Sequence, residues 1–480
     1  MALASKVARA AVWSAVRIAG SQVTSFLVFM SLTRLLAPEE IGLMALAAAV
    51  IDLSGPLTRA GFPESLIQRD DANELQADTC FWTTLLLSLA MAGLVIVSAP
   101  YAARAFDAPA LGPVLQVSSV ILPLVALGAT HEARLTRDFG HKALAMRGLV
   151  ANVFGGGVGI GMGLMGFGVW SLVAQRIVST LAAVLFAWWS YRWVPKLRFS
   201  RVEFSRMSRF GVHMVGISFL GTLNGRILDF LLGYFAGAAA VGHVRVASRC
   251  LDMVTQFTVT PLTSVALPAF SRLQSDPVAF ERGFRRMVRT CALVTFPSYL
   301  GLAAVADDLL PLLFGSQWAV SATVLQIMCL GVIPITLHAF TWTSIVAVGR
   351  SDRAALGALI NVSFTALTVA LAAPFGPLAA VAANVARAYV GLPIGFRFLR
   401  VNTGVRAWPL FTSTLLPMAS AVIMSASVWA VKGATAEMPA IVRLACMVTA
   451  GALVYSGVMW TLGQQIVIEM RDVWQRAGAK

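Results

Sequence analysis

Charged residues are scarce in this chain of 480 residues. Asp, Glu, Lys and Arg make up only 12% of it and hydrophobic residues 58%, whereas ordinary soluble proteins are about 25% charged. Windows without any charged residue run from Thr79 to Ala103 and from Leu309 to Gly349, and each could cross a bilayer. Strands of a membrane barrel need only about 9–11 alternating residues. The composition therefore excludes a soluble enzyme and predicts an all-α polytopic membrane protein.

Cysteines and catalytic motifs are also few. The five cysteines occur singly, without CxxC spacing, which argues against a disulfide framework or a zinc site. The patterns HExxH, Walker A, DxD and GxSxG are absent, and the outer loops between the predicted spans are short, the longest lying around Ala306–Ala319. A membrane glycosyltransferase or polymerase should carry a large outer loop with catalytic residues. We therefore predict a transporter and not an enzyme, with no cofactor and no metal site.

Basic residues exceed acidic ones by 15, and their positions predict the topology. The apolar runs give fourteen spans, at residues 11–34, 41–61, 80–103, 111–131, 145–165, 168–190, 210–235, 238–262, 288–306, 320–346, 354–373, 376–396, 408–431 and 441–465. With both termini in the cytoplasm, the inner segments hold 26 Lys and Arg residues and the outer segments three. This asymmetry follows the positive-inside rule. Because the cytoplasmic loops account for the net positive charge, we expect no nucleic-acid partner.

Two turn motifs recur about 200 residues apart. Leu36–Gly42 resembles Phe235–Gly242, and Gly166–Ala174 aligns with Pro374–Ala382. Chance similarity between short Gly and Ala motifs is the alternative. The spacing favours two parallel six-helix repeats plus two C-terminal helices, a layout known among transporters. The predicted domains are an N-terminal lobe at 1–190, a basic cytoplasmic linker at 191–209, a C-terminal lobe at 210–400, and helices 13 and 14 with a cytoplasmic tail at 401–480.

Ionisable residues inside the predicted spans are the candidate site. Such groups cost several kcal/mol unless they are paired or face water. The predicted translocation cavity is lined by Arg17, Asp52, Arg59, Arg176, Arg226, Asp229, Arg249, Asp252 and Arg387. Its excess of arginine would suit a substrate that carries phosphate, because guanidinium pairs bidentately with phosphate oxygens. The alternative is that these residues form internal salt bridges, or that arginines at helix ends extend towards the membrane surface.

Glycines are concentrated between Gly155 and Gly163, where they recur with small-xxx-small spacing. The same stretch leads into a literal GxGxxG at Gly161–Gly166, but a dinucleotide site would need an acidic residue about 20 positions on, and the next one is Glu203. We therefore predict close helix packing for this run.

Four stretches together carry a family resemblance: Gly61–Asp70, Gly166–Gln175, Phe270–Pro277 and Phe314–Trp318. Through them the chain resembles the polysaccharide-transport branch of the multidrug/oligosaccharidyl-lipid/polysaccharide exporter superfamily, which contains the Wzx and WzxC-type lipopolysaccharide and exopolysaccharide exporters. The likeness covers about residues 5–400.

The resemblance implies an inner-membrane flippase that translocates undecaprenyl-pyrophosphate-linked oligosaccharides by alternating access. A proton or sodium gradient would drive it, with Asp52, Asp229 and Asp252 as the candidate coupling residues. Its expected partners are the lipid-linked oligosaccharide, membrane lipids and the polysaccharide polymerase or export machinery. A peptidoglycan lipid-precursor flippase and a multidrug/cation antiporter on the same fold are the alternatives, and the arginine excess argues against the antiporter.

Overall fold

The computed structural model describes residues 20–68, 73–138 and 140–462. The chain divides into two compact units, residues 1–245 and 246–480. The described residues form helices joined by short turns, with no strand among them. The all-α class predicted from the charge-free windows is therefore confirmed.

The first unit contains nine helices within its described residues, the last of which continues into the second unit. They are α1 (20–35), α2 (Pro38–Arg59), α3 (Phe62–Gln68), α4 (Glu74–Ala105), α5 (Leu111–Ser118), α6 (Ile121–Arg137), α7 (His141–Leu164), α8 (Val169–Ser190) and α9 (Arg201–Thr258). Helix α2 packs against α4, α5, α6 and α8, and α7 packs along α8.

The second unit contains the end of α9 and nine further α-helices. They are α10 (Thr260–Leu273), α11 (Pro277–Phe314), α12 (Ala319–Cys329), α13 (Val332–His338), α14 (Thr341–Ala347), α15 (Ser351–Ala372), α16 (Pro377–Thr403), α17 (Trp408–Ala434) and α18 (Ala440–Leu462). Helix α11 packs against α12, α17 and α18, and α15 packs against α16. Stacked phenylalanines such as Phe270 and Phe284, whose ring centroids are 5.5 Å apart, build one core of this unit.

Eleven helices of the described part are long and apolar enough to cross a membrane, and a twelfth span results if the bent pair Ser316–Cys329 and Val332–Ala347 is one crossing. One of the eleven, Ser218–Thr258, is broken at Gly237 by a left-handed φ of 80°, where the sequence places the gap between spans 210–235 and 238–262. The first predicted span, 11–34, begins outside the described residues. The protein is therefore multi-pass, and the count of fourteen stays a prediction consistent with these helices.

Two glycines allow α2 and the second part of α9 to cross at backbone contact. A Cβ atom on Gly42 would overlap the carbonyl oxygen of Ala238, and a Cβ atom on Gly242 would overlap the carbonyl oxygen of Pro38. The contact is reciprocal: Gly42 lies against the carbonyl of the residue four positions before Gly242, and Gly242 lies against the carbonyl of the residue four positions before Gly42. These residues belong to the first pair of recurring motifs, so the structure brings the two copies together.

The second pair of motifs forms matching helix starts. Gly168 precedes α8 with a φ of 56°, and Gly376 precedes α16 with a φ of 96°. Side chains other than glycine rarely adopt such angles, which explains why both copies keep glycine at this position.

The glycine run in α7 packs as predicted. Cβ atoms on Gly155 and Gly159 would press on Gln175 and Ser179 of α8, and one on Gly156 would press on Val28 of α1. The prediction of close helix packing is therefore confirmed.

The longest predicted outer loop, Ala306–Ala319, is wrong in part because α11 continues to Phe314. Asp308 in this last section of α11 pairs with Arg443 of α18, and Lys432 of α17 lies 3.4 Å from Asp308 and 3.2 Å from Asp307. Opposite charges at the end of the helix therefore compensate one another, which attaches the two C-terminal helices to α11.

The first residues of the predicted linker lie in a segment without helix or strand, 191–200, which we call the strap. The strap is held along α4 and α6. The backbone N–H of Lys196 donates to Oδ1 of Asp78 at 2.9 Å, Nε1 of Trp82 donates to the Lys196 carbonyl at 2.9 Å, and Nε2 of His131 donates to the Trp193 carbonyl at 2.9 Å. Because Asp78 and His131 are fully buried, these bonds anchor the strap to the core of the first unit.

We expect Asp78→Ala to release the strap. The substitution leaves the Lys196 amide without its buried acceptor, which should cost about 1–3 kcal/mol and make the bonds after Lys196 and Arg198 accessible. Limited trypsin digestion of the purified protein should then cut in the strap at least several times faster than in the natural protein.

Glu74→Gln provides the matched control for Asp78→Ala. Glu74 also contacts Lys196, since Nζ of Lys196 lies 3.3 Å from Oε2 of Glu74, but both side chains are more than half exposed. Such exposed ion pairs contribute little to stability. Equal cleavage rates in the two variants would contradict an anchoring role for Asp78.

Candidate functional site

The centre of the candidate site is the carboxylate of Asp52 in α2. Oδ1 of Asp52 accepts from Arg176 of α8, and Oδ2 accepts from Nη2 of Arg226 of α9 at 2.5 Å. The Asp52 side chain is 27% exposed. Two guanidinium groups from two different helices therefore share one carboxylate, each on its own oxygen.

A second carboxylate, Asp229, extends this network. Nη1 of Arg226 donates to Oδ2 of Asp229 at 3.3 Å, and Nη1 of Arg245 lies 3.6 Å from the same oxygen. Asp229 is only 3% exposed. Arg226 thus bridges both aspartates, while Asp229 depends on two cations for compensation in a buried position.

Local backbone geometry explains why these α9 residues meet. Arg226 and Asp229 are three residues apart, a spacing that places them on one helix face. Asp229 and Arg245 lie eight residues before and after Gly237, whose φ of 80° reverses the chain, so the two parts of α9 bring them side by side. Glycine at this position is what permits the left-handed conformation.

The five side chains form a network that we call the arginine cluster: Asp52, Arg176, Arg226, Asp229 and Arg245. With three guanidiniums and two carboxylates, its formal charge is positive by one. Guanidinium forks bind carboxylate and phosphate oxygens in the same bidentate manner. A phosphate could therefore take the place of Asp52 on Arg176 and Arg226 without any change in the chemistry of the contact.

Two further predicted residues do not join the arginine cluster in the described structure. Arg59 lies in the last turn of α2, 3.5 Å from Glu132 and 3.9 Å from Glu64, and Glu132 also accepts two hydrogen bonds from Arg147. The alternative of an internal salt bridge thus fits Arg59. Arg17 lies outside the described residues.

The remaining predicted residues belong to the second unit. Arg249 is half-buried and Asp252 is exposed, both on the second part of α9. Arg387 lies within α16, where its Nη1 donates to Oδ1 of Asn361 at 2.5 Å. Of the eight predicted residues that the structure describes, it therefore brings four into the arginine cluster, which are Asp52, Arg176, Arg226 and Asp229.

Sequence reasoning missed two partners in these sites. Arg245 meets Asp229 only because the chain reverses at Gly237, and residue spacing does not reveal that reversal. Asn361 is a polar side chain within an apolar span, and this is the signal that could have indicated a buried hydrogen-bond partner.

Several known proteins resemble this chain in sequence. Residues 31–323 match the polysaccharide biosynthesis protein family. The succinoglycan biosynthesis transport protein ExoT of Rhizobium meliloti (strain 1021) is 26% identical over 328 residues, covering 68% of this chain and 66% of ExoT. The teichuronic acid biosynthesis protein TuaB of Bacillus subtilis (strain 168) is 26% identical over 403 residues, covering 82% of this chain and 83% of TuaB.

The fold has a counterpart among solved structures. The lipid II flippase MurJ in an inward closed conformation superimposes with a TM-score of 0.77 at 13% identity, over 95% of this chain and all of that one. At this identity the likeness shows the fold. The match of more than half of the chain to the family shows its membership, and the resemblance to the polysaccharide exporters that the sequence predicts is confirmed. The chain therefore belongs to the polysaccharide biosynthesis protein family.

Proposed function

We propose that the protein is an inner-membrane flippase that translocates undecaprenyl-pyrophosphate-linked oligosaccharides for the biosynthesis of lipopolysaccharide, capsule or exopolysaccharide. The observation that carries the proposal is the arginine cluster, a net cationic network formed by membrane-spanning helices in a member of this family. It offers guanidinium groups to a pyrophosphate whose transfer through bare hydrocarbon would be prohibitively costly.

The mechanism follows from the contacts of Asp52. Asp52 holds Arg176 and Arg226 in the arginine cluster. An entering phosphate would compete with this carboxylate for the same N–H groups, and release of the phosphate would restore the original pairs. Substrate binding and the pairing of α2 with α8 and α9 would thus be linked.

The carboxylates of the cluster are the sites at which a proton or sodium gradient would act. Neutralising Asp52 or Asp229 weakens its hold on Arg226, which makes this guanidinium more available to the substrate. Asp252 is a further candidate for coupling. Both termini would be cytoplasmic, and Arg17, Arg249 and Arg387 would line other parts of the translocation pathway. We place the linker 191–209 and the tail that follows helices 13 and 14 in segment 401–480 in the cytoplasm as part of the same proposal. The polysaccharide polymerase or export machinery is the proposed partner.

Reconstitution tests this function directly. Purified protein in proteoliposomes should move a fluorescent undecaprenyl-pyrophosphate oligosaccharide across the bilayer faster than protein-free vesicles, and an imposed proton or sodium gradient should increase the rate. The gradient that accelerates movement identifies the coupling ion.

Three comparisons sharpen the reconstitution experiment. A peptidoglycan lipid precursor and a small organic cation are offered in parallel, and protein-free vesicles give the spontaneous rate. If the protein moves the organic cation and does not move any lipid-linked glycan, the proposed substrate class is wrong. If it moves the peptidoglycan precursor faster than the oligosaccharide lipid, the precursor is the substrate.

A further inference from the structure

The second unit contains a half-open cavity, and none of its lining residues belongs to the arginine cluster. Its volume is about 400 Å³, within the usual range of ligand pockets. Helices α13, α14, α15 and α16 supply its walls. The side chains that line it include His338, Trp342, Asn361, Phe364, Arg387 and Phe398.

Arg387 is the cation of this cavity, and it has no acidic partner among the residues that the structure describes. Its Nη1 donates to Oδ1 of Asn361 at 2.5 Å and its Nε to Oδ1 of Asn384 at 3.3 Å. Both partners are neutral amides. Each arginine of the arginine cluster, by contrast, faces an aspartate. A charge left uncompensated at this depth is costly, so an anionic ligand would be favoured here.

Aromatic rings form the wall beside this cation. The Trp342 ring lies directly against Gly357 of α15, where a Cβ atom would overlap it. Phe398 contacts the indole edge-on, with centroids 6.1 Å apart. Glycine at position 357 therefore gives Trp342 its place in the cavity wall, and Phe398 packs beside it.

His338 adds a polar group opposite a second glycine. Its ring lies where a Cβ atom of Gly395 would be, and its Nε2 is buried without a hydrogen-bond partner in the described part of the chain. Buried polar atoms normally have a partner. Because Nε2 is buried against Gly395, a ligand in the cavity does not reach it, and His338 contributes to the wall and not to ligand binding.

We propose that this cavity binds an acidic sugar residue. The carboxylate would pair with Arg387, a hydroxyl group would bond to Asn361, and the C–H face of the pyranose would pack on the electron-rich face of an aromatic wall that includes Trp342. The assignment of this sugar to a transported glycan rests on the proposed function, whereas the binding of an acidic sugar in this cavity does not depend on it.

The ligand side of the proposal can be tested on the unmodified protein. Full-length protein in lipid nanodiscs is titrated with D-glucuronic acid, its methyl ester, D-glucose and acetate, with saturation-transfer NMR as readout. Glucuronate should bind at least about tenfold more tightly than the methyl ester, since the ester lacks the charge-assisted bond. Equal affinity for glucuronate and ester, or for glucuronate and acetate, would overturn the proposal.

Two substitutions assign the binding to the cavity. Arg387→Gln should remove the preference for binding glucuronate over its methyl ester. Trp342→Leu should weaken the binding of glucuronate and leave the binding of acetate unchanged. Arg397→Gln is the matched control, because Arg397 is an exposed arginine of the same helix, α16. An unchanged preference in Arg387→Gln would place the binding elsewhere and refute this site.

Failure of this proposal and failure of the proposed function give different results. Translocation of a lipid-linked oligosaccharide without glucuronate binding would refute the acidic-sugar cavity alone. Selective glucuronate binding with no translocation of any lipid-linked glycan would refute the flippase alone.

Discussion

Replacement of Arg226 by glutamine is expected to abolish translocation in proteoliposomes and to destabilise the protein by about 3–5 kcal/mol, the range for breaking a buried ion pair. Arg226 bridges Asp52 and Asp229. Without it, Asp229 keeps only the longer contact to Arg245, at 3.6 Å, in a site that is 3% exposed. Translocation of the fluorescent lipid-linked oligosaccharide and thermal unfolding in detergent measure the two effects.

Two further variants separate the function of the Arg226 guanidinium from its role in stability. Arg226→Lys keeps the charge but loses the fork that bridges two carboxylates, so it should recover stability in part while translocation stays at least about tenfold reduced. Arg201→Gln removes an exposed arginine at the start of the same helix and should behave like the natural protein. Full translocation by both Arg226 variants would exclude the arginine cluster from the substrate pathway.

The substitution Gly42→Ala is expected to destabilise the first unit, although alanine normally favours a helix over glycine by about 1 kcal/mol. The added methyl group would overlap the carbonyl oxygen of Ala238. Relief requires α2 and α9 to separate, which we expect to cost about 1–3 kcal/mol as in an overpacked core. The yield of monodisperse protein in size-exclusion chromatography and its unfolding temperature should both fall.

A glycine of the same helix gives the control for Gly42→Ala. Gly55 has no atom within 4 Å of a Cβ position, so Gly55→Ala should be neutral or stabilising. Gly242→Ala should repeat the effect of Gly42→Ala, and the double variant should cost less than the sum, because the helices separate only once. Additive losses, or a loss as large in Gly55→Ala, would contradict the close crossing.

Membrane class and helix positions could be predicted from the sequence because both depend on local composition. The break at Gly237 coincided with the gap between two predicted spans, since glycine is the residue that a left-handed turn favours. The extension of α11 through Asp307 and Asp308 was not predictable in the same way. Charges suggested an outer loop, but Lys432 and Arg443 from distant parts of the chain compensate them.

The candidate site was predictable only as a list of residue types. Asp52 and Arg59 lie on one face of α2 by spacing, yet Asp52 joins the arginine cluster while Arg59 pairs with Glu64 and Glu132. Sequence periodicity shows which residues share a face of one helix, whereas the packing of several helices determines which residues form ion pairs. For the same reason the cavity of Arg387 had no sequence signal beyond the arginine itself, because Trp342 takes its position from Gly357.

The reciprocal contact of Gly42 with Ala238 and of Gly242 with Pro38 has the form of an isologous interface, in which the same patch is used by both sides of a two-fold axis. Such contacts arise naturally between identical subunits. Duplication of a unit with an even number of membrane-spanning helices would keep both copies in one orientation in the bilayer. The crossing of α2 with α9 has the geometry that two such copies would form where the same patch of each meets the other.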